Sequence, residues 1–430
     1  MERILKGDIM YDIYLKRIHI NKVRHLEGVN IDISSESKKN LVLTGKNGSG
    51  KTSVLEAIAN QLDYLSRKGD FESIEERISI YTNDVNNRIK NNESENSIRE
   101  IRDNIKRQKR LLEGAKSGLD IEYSLDCNGL KTHFRDGDFI LAFYKSNRVF
   151  ESEVAKHIEK PTILKTYGIN DSPRIEFIKY LADLKVSEAL ALNSNKSEKA
   201  RKISEWFVSF EKELKRVFED DSIHLVFNDE TYLFDIFQEG REPFGFNELS
   251  DGFAAILDII VDIMMRMVHS ANGEFSYNLP GIVLIDEIET HLHLELQKKV
   301  MGFITTLFPN VQFIVSTHSP FIINSTKNAV IYDLEKNLLI PEGLNDLPYE
   351  GVVDGFFGVD RLSQELKEKL NRYRVLTGKD KIDKEDMREV IDLESYLDEV
   401  PDYLALDLAT TYAGLKTEFN NRRRKANGKS

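Results

Sequence analysis

Residues 45–52 read "GKNGSGKT", and this stretch constrains the fold more than any other. It fits the pattern G-x-x-x-x-G-K-[ST], with a short apolar strand, "NLVLTG", before it and a helix, "KTSVLEAIANQLDYL", after it. That helix carries Val54, Leu55, Ile58 and Leu62 on one face, the spacing of a buried stripe. Such a loop has a physical use. Glycines let backbone N–H groups turn inward around phosphate oxygens, and the helix N-terminus adds partial positive charge. We therefore expect Gly45, Lys46, Asn47, Gly48, Ser49, Gly50, Lys51, Thr52 and Ser53 to cradle a nucleotide's phosphates. Lys51 should reach the β- and γ-phosphates, and Thr52 should place its hydroxyl on Mg²⁺.

Three later segments complete this chemistry. "GIVLIDEIE" delivers Asp286 and Glu287 to the C-terminal edge of an apolar strand, where ligands bind in parallel sheets. Asp286 is a candidate Mg²⁺ partner, and Glu287 a candidate general base that orients and activates water. "VSTHSP" puts His318 at the end of another apolar strand, where it can hydrogen-bond a γ-phosphate and sense its presence. "NELSDGF" at 247–253 leads into the apolar run "AAILDIIVDIMMRM", so Ser250 reads as a helix N-cap.

The order Lys51, Ser250, Asp286–Glu287, His318 resembles that of the ATP-binding-cassette (ABC) ATPases, with "LSDGF" where their signature motif belongs. The resemblance implies ATP and Mg²⁺ as ligands and a homodimer or higher homo-oligomer with composite ATP sites. In that arrangement Ser250 and Gly252 contact the γ-phosphate held by the opposite subunit. A serine hydroxyl beside the free N–H groups of a helix start suits both a cap and an anion site. The long gap between phosphate loop and signature argues against a compact transporter subunit.

"IHINKVRHLEGVNIDI" is similar to the start of the RecF, SMC and OLD ATPases, with Val23-Arg24 in place of the usual Phe-Arg. "DEIETHLHLELQKK" is similar to an OLD-like "DEPExHLHP" stretch but has Ile288 and Leu294 where that pattern has other residues. The segment "ILAFYKSNR" lies where a Q-loop belongs and holds no glutamine, leaving Tyr144 or Arg148 as substitutes for the lid contact. His291 and His293 form an H-x-H pair, yet no cysteines are nearby and no H-E-x-x-H occurs. The resemblance instead places them in a D-loop at a dimer interface.

The expected fold is α/β: an ABC head with a mixed sheet flanked by helices, a helical or short coiled-coil insertion, and a C-terminal helical region. The head should comprise 1–65, strands and Q-loop region at 117–150, and 222–340. A hairpin insertion should occupy 66–116, a helical subdomain 151–221, and further helices 341–430. In the insertion, Ile74, Ile78, Tyr81, Val85 and Ile89 recur at helical spacing, "NNES" interrupts, and Ile98, Ile101, Ile105 and Leu112 resume. Its second arm carries Arg99, Arg102, Lys106, Arg107, Lys109 and Arg110, either a solvated face or a nucleic-acid or partner contact.

Composition narrows the setting. The net charge of −12 excludes a generic basic DNA binder, so nucleic-acid contact would need a local patch. A single cysteine, Cys127, excludes an internal disulfide and fits a reducing cytoplasm. No apolar run approaches membrane-spanning length, and "MERILKGDIMYDIY" has no apolar signal core, so a cytoplasmic protein without a membrane partner is expected.

Past 340 the chain lacks the strand pattern and spaced carboxylates of a Toprim nuclease and the clustered histidines of an HNH nuclease. It thus resembles the ATPase components of antiphage systems such as Septu and PARIS, which work with a separate nuclease. A RecF-like ATPase acting directly on DNA, and a nucleotide switch that needs no hydrolysis, are the alternatives.

Overall fold

Segments that are apolar throughout, rather than alternating, become the strands of the central sheet. Numbering starts from a two-residue hairpin, Ile4–Leu5 (β1) with Asp8–Ile9 (β2). The fully buried strands are β5 (Asn40–Thr44), β7 (Ile140–Tyr144), β11 (Gly281–Ile285), β12 (Val311–Ser316) and β13 (Ala329–Asp333). With β14 (Leu338–Ile340) they form a six-stranded sheet in the order β14-β13-β5-β12-β11-β7. All neighbours are parallel except β14 on β13. A parallel sheet is buried on both faces, which is why these strands show no polar alternation. The computed structural model describes residues 4–5, 8–9, 12–67, 71–148, 152, 160–268, 278–342, 344, 364–379, 382–398 and 406–427.

The crossover from β5 is α1 (Lys51–Arg67). Its Val54, Leu55, Ile58 and Leu62 are fully buried, as their spacing predicts. They share one core with Ile18, Ile20 and Ile31 of a second, antiparallel sheet: β3 (Leu15–Val23), β4 (Leu26–Asp32) and β6 (Leu119–Tyr123), in the order β4-β3-β6. One buried side chain stitches the two sheets together. Gln312 of β12 accepts the Leu15 N–H at 2.7 Å and donates to the carbonyls of Leu15 and Lys39 at 3.1 and 2.8 Å.

The insertion is a helical hairpin, α2 (Glu72–Lys90) and α3 (Glu95–Lys116). Its seam is narrow: Ile74 and Val85 of α2 and Ile101 and Ala115 of α3 are buried, whereas Ile89 is exposed. Two helices alone can bury only a thin stripe, so most of both surfaces faces solvent. Next comes α4 (Cys127–Asp136), which the strand reading of that region passed over. Its signals are local. The Asp126 carboxylate accepts the Gly129 N–H at 2.6 Å, Gly137 ends the helix at φ 81°, and Leu130 and Phe134 are buried four residues apart.

A helical pair, α5 (Phe177–Asn193) and α6 (Ser197–Phe218), leads to a small antiparallel sheet of β8 (His224–Phe227), β9 (Phe234–Phe237) and β10 (Phe244–Gly245). Phe177 packs edge-on against both Phe210 and Phe246, with ring centroids 5.6 and 5.7 Å apart. Phe246 thus anchors the chain just before the signature residues. The next helix, α7 (Asp251–Met267), is buried almost all round, Asp258, Asp262 and Arg266 included. Then follow α8 (Leu294–Leu307) and α9 (Pro320–Ser325).

The chain divides into two units, Met1–Leu347 and Pro348–Ser430. The second contains α10 (Gln364–Gly378), α11 (Lys384–Asp398) and α12 (Leu406–Asn427). It has its own core, in which Tyr373, Leu376, Val390 and Phe419 are buried.

Replacing Gln312 by leucine tests the stitch between the sheets. The change leaves two buried backbone groups and one half-buried one without their partner and should cost about 2–4 kcal/mol in urea unfolding. A loss below about 0.5 kcal/mol would contradict this role.

Candidate active site

The parallel sheet brings the C-terminal ends of β5, β11 and β12 side by side. The loop leaving β5 folds as a phosphate cradle should: Gly45, Gly48 and Gly50 take φ of 133°, 84° and 101°. A side chain at Gly45 would meet Ser49 Oγ at 2.9 Å and the Glu335 amide nitrogen at 3.2 Å, so both dihedral and space demand glycine there. Lys51 is buried and curls back over the loop, donating to the carbonyls of Gly45 at 2.9 Å and Lys46 at 3.2 Å. Burial lowers its pKa, against the pull of Glu287, Glu289, Asp286 and Asp333. The Lys46 side chain turns away and pairs with Glu335 at 2.7 Å, and its backbone N–H donates to the same carboxylate at 3.3 Å.

Asp286 is the meeting point of three elements. Thr52, at the start of α1, donates its hydroxyl to Asp286 Oδ1 at 3.2 Å. Ser316, at the end of β12, donates to the same oxygen at 2.6 Å and accepts the Glu287 N–H at 2.8 Å. Asp286 also donates its own N–H to the Tyr144 carbonyl of β7 at 2.8 Å. The donor set is a hydroxyl and a carboxylate, both hard oxygens, and would suit Mg²⁺. Glu287 is half-buried and lies in the left-handed region at φ 45°. Arg148 binds the backbone behind it, donating to the carbonyls of Asp286, Glu287 and Ile288.

His318 follows the same strand end as Ser316. Its backbone N–H donates to Glu289 Oε1 at 2.5 Å, and burial, aided by Lys51, lowers the imidazole pKa. A neutral ring can donate to a phosphate oxygen from one nitrogen while the other is free to accept. Ser319 caps α9 by accepting from Phe321 and Ile322 and donates to Gln297 at 2.7 Å. Ser316 and Glu289 bond within the site and were not assigned by motif reading, whereas Arg148, read there as a substitute lid contact, binds the backbone of the turn. For Ser316 the signal was present, as a lone hydroxyl ending the apolar strand "VQFIVS".

The signature residues need one correction. Ser250 holds the N-cap backbone position, and its carbonyl accepts the Ala254 N–H at 2.9 Å, but its side chain makes no capping hydrogen bond. The residue is exposed. The expected dual use of the hydroxyl is therefore not seen within this chain, and the first N–H groups of α7 lack that partner. Gly252 has a reason inside its own subunit: a side chain there would approach the His291 carbonyl to 3.0 Å. His291 itself has φ 68°. Among the described residues no cluster of three or more His, Cys, Asp or Glu could hold a metal, so the H-x-H pair gains no support as a chelate.

Tyr144 does not make a lid contact. Its hydroxyl donates to Asp262 Oδ2 at 2.8 Å, and Arg266 donates to the same oxygen at 2.8 Å. Arg174 pairs with Asp258 and, at 3.6 Å, with Asp262. These groups tie α7 to β7. Burial pushes the Asp258 carboxyl up to about 7, with Arg174 pulling the other way.

A phosphate loop, a strand-end carboxylate pair braced by a neighbouring strand, and a helix start in signature position, all on a mixed sheet flanked by helices, define the head of an ABC-type ATPase. Comparison with known families gives the particular assignment. The chain belongs to the family described as "AAA domain, putative AbiEii toxin, Type IV TA system", which matches residues 41–125 and 139–324. It is similar to Septu protein PtuA of Bacillus mycoides (strain KBAB4), 26% identical over 400 residues that cover 89% of this chain and 50% of the relative. It is also similar to the Retron Ec83 probable ATPase of Escherichia coli, 32% identical over 33% of this chain and 27% of that one. A third relative is the Retron Vc95 probable ATPase of Vibrio cholerae serotype O1 biovar El Tor, 38% identical over 22% and 19%. The chain thus spans at most half the length of these curated relatives. A solved structure it resembles is the SmcHead bound to the C-winged helix domain of ScpA, at 13% identity and a TM-score of 0.37, covering 76% of this chain and 96% of that one. No helix among the described residues is long and apolar enough to cross a membrane.

Asp258 gives a pH prediction. Its folded pKa of about 7 lies above the ordinary 3.8, so the folded state holds this proton more tightly than the unfolded one. The resulting stability is full below the unfolded pKa and is lost as pH rises through the folded one. Melting temperatures of wild type and Asp258→Asn should therefore shift in favour of the variant between about pH 5 and about pH 8. A difference that is flat or of opposite slope across that window would contradict the assignment.

Proposed function

We propose that the protein binds ATP with Mg²⁺, pairs with a second copy around it, hydrolyses it, and thereby controls a separate effector, a nuclease, in antiphage defence. The observation that carries the reading is the convergence of Thr52 and Ser316 on Asp286 at one sheet edge, with Ser316 also accepting the Glu287 N–H. In this reading the loop N–H groups and Lys51 hold the β- and γ-phosphates. Thr52 and Asp286 would hold Mg²⁺, which supplies positive charge to the phosphate oxygens. Glu287 accepts a proton from the water that attacks the γ-phosphorus, and the bond to the ADP oxygen breaks. His318, held neutral, donates a hydrogen bond to the γ-phosphate. Exposed Ser250 at the start of α7 supplies the partner subunit's site. The names Septu and retron ATPase among the relatives support the defence setting, and the ABC-like order of motifs supports dimerisation.

Subunit mixing tests the composite site. Ser250→Arg should keep ATP binding and lose hydrolysis, Lys51→Ala should lose binding, and neither alone should turn over. An equimolar mixture forms one intact site in half its dimers, so about a quarter of wild-type activity should return. A mixture as inactive as its components would sink the trans arrangement. Glu287→Gln should lower turnover at least about 100-fold. Unchanged function in that variant would favour the non-hydrolysing switch.

One observation favours direct action on nucleic acid as a second reading. On α3, Arg99, Arg102, Lys106, Arg107, Lys109 and Arg110 are all exposed, and among the described residues none forms an ion pair. If they contact phosphates, reversing the charge of Arg102, Lys106 and Arg110 should weaken duplex DNA binding and cut the slope of log K against log salt by about three. An unchanged slope would leave the stripe a solvated face.

A further inference from the structure

The turn after β11 carries the proposed base and is built under strain. Glu287 at φ 45° is an L-residue in the left-handed region, where its Cβ crowds the backbone and support is needed. Three consecutive carbonyls of this turn converge on one side chain. Arg148 donates from Nη1 to the Asp286 oxygen at 2.8 Å, and from Nη2 to those of Glu287 at 2.9 Å and Ile288 at 3.3 Å. Nη1 also reaches the Lys145 carbonyl at 3.2 Å. A planar guanidinium can serve all of these at once, whereas an ammonium cannot. With its donors committed to backbone, Arg148 is not placed to act as the lid contact that a Q-loop glutamine would make.

Arg148 is only 6% exposed, and its Nε is buried without a hydrogen-bond partner. Four carbonyl dipoles do not neutralise a buried cation, which needs an opposite charge nearby. Asp258, 1% exposed, supplies the largest favourable charge. Both residues line one polar cavity of about 590 Å³, together with Arg174, Asn147, Asn60 and Glu56. Asp258 belongs to α7, about 12 Å along the helix axis from Ser250. The helix whose start would meet the partner's ATP therefore also lines the cavity beside the residue that grips the turn.

We infer that Arg148 is a positioning residue for Glu287, holding the turn that presents this carboxylate to water. The inference rests on hydrolysis at this site through Glu287. It is tested by steady-state ATP hydrolysis with the full chain, comparing wild type, Arg148→Lys and Arg148→Ala, with Glu287→Gln as the zero. Arg148→Lys keeps charge and stem but not the fork. It should lose at least about 30-fold in kcat with KM for ATP within about threefold, because the phosphate cradle is untouched. Added guanidinium should restore part of the kcat of Arg148→Ala, and methylammonium should not. Two results would overturn the inference: kcat of Arg148→Lys within about twofold of wild type, or parallel losses in KM and melting temperature that mark general damage. If Arg148→Ala fails to fold, Arg148→Lys carries the test. Wild-type protein without turnover would remove the hydrolysis reading and this inference with it. Turnover that survives Arg148→Lys removes the inference alone.

Discussion

The Asp286 carboxylate, 3% exposed, is the group on which the rest of the site is registered. A buried carboxylate must be hydrogen-bonded or paired, and this one takes hydroxyls from two elements far apart in the sequence. Thr52 brings the phosphate loop to it, and Ser316 brings the strand that leads on to His318. Because Ser316 also accepts the Glu287 N–H, the same serine sets the metal-side carboxylate and the proposed base. The strand order β5-β12-β11 makes this geometry available, since it places these three C-terminal ends in adjacent register.

Electrostatics explains why such a site is completed by its ligands. Lys51 faces Glu287, Glu289, Asp286 and Asp333, so carboxylates outnumber the one ammonium placed to meet phosphate. An incoming triphosphate adds further negative charge. Mg²⁺ between Thr52 and Asp286, the loop N–H groups and the helix N-terminus would have to offset it. The signature helix of a second copy would add another set of N–H donors. Behind the carboxylates, half-buried Arg174 and buried Arg266 pair with Asp258 and Asp262, and Arg148 is buried nearby. Positive charge is therefore concentrated on the scaffold side of the turn, and negative charge on the side that faces nucleotide.

Much of this was legible in the sequence, for physical reasons that differ by element. The phosphate loop was readable because its chemistry is local: glycine dihedrals, one lysine and one hydroxyl within eight residues. The central strands were readable because burial on both faces removes polar alternation. The hairpin's seam was readable in outline, but its narrowness was not, and Ile89 was left in solvent. What could not be read depends on distant parts of the chain meeting. Ser316 matters through Asp286, thirty residues away. Arg148 matters because it reaches residues 286–288, and Tyr144 is diverted to Asp262. Ser250 shows the converse: local spacing suggested a cap, yet its hydroxyl makes no such bond, while Gly252 owes its lack of a side chain to the His291 carbonyl.

We propose that ATP is held between two copies of this chain. Light scattering on the Glu287→Gln protein, eluted by size exclusion with and without ATP and Mg²⁺, tests it most directly. The account predicts that nucleotide and metal together raise the protein to twice the mass of its nucleotide-free form, or to a higher even multiple, and that neither alone does so. A mass that stays the same under all conditions would contradict it.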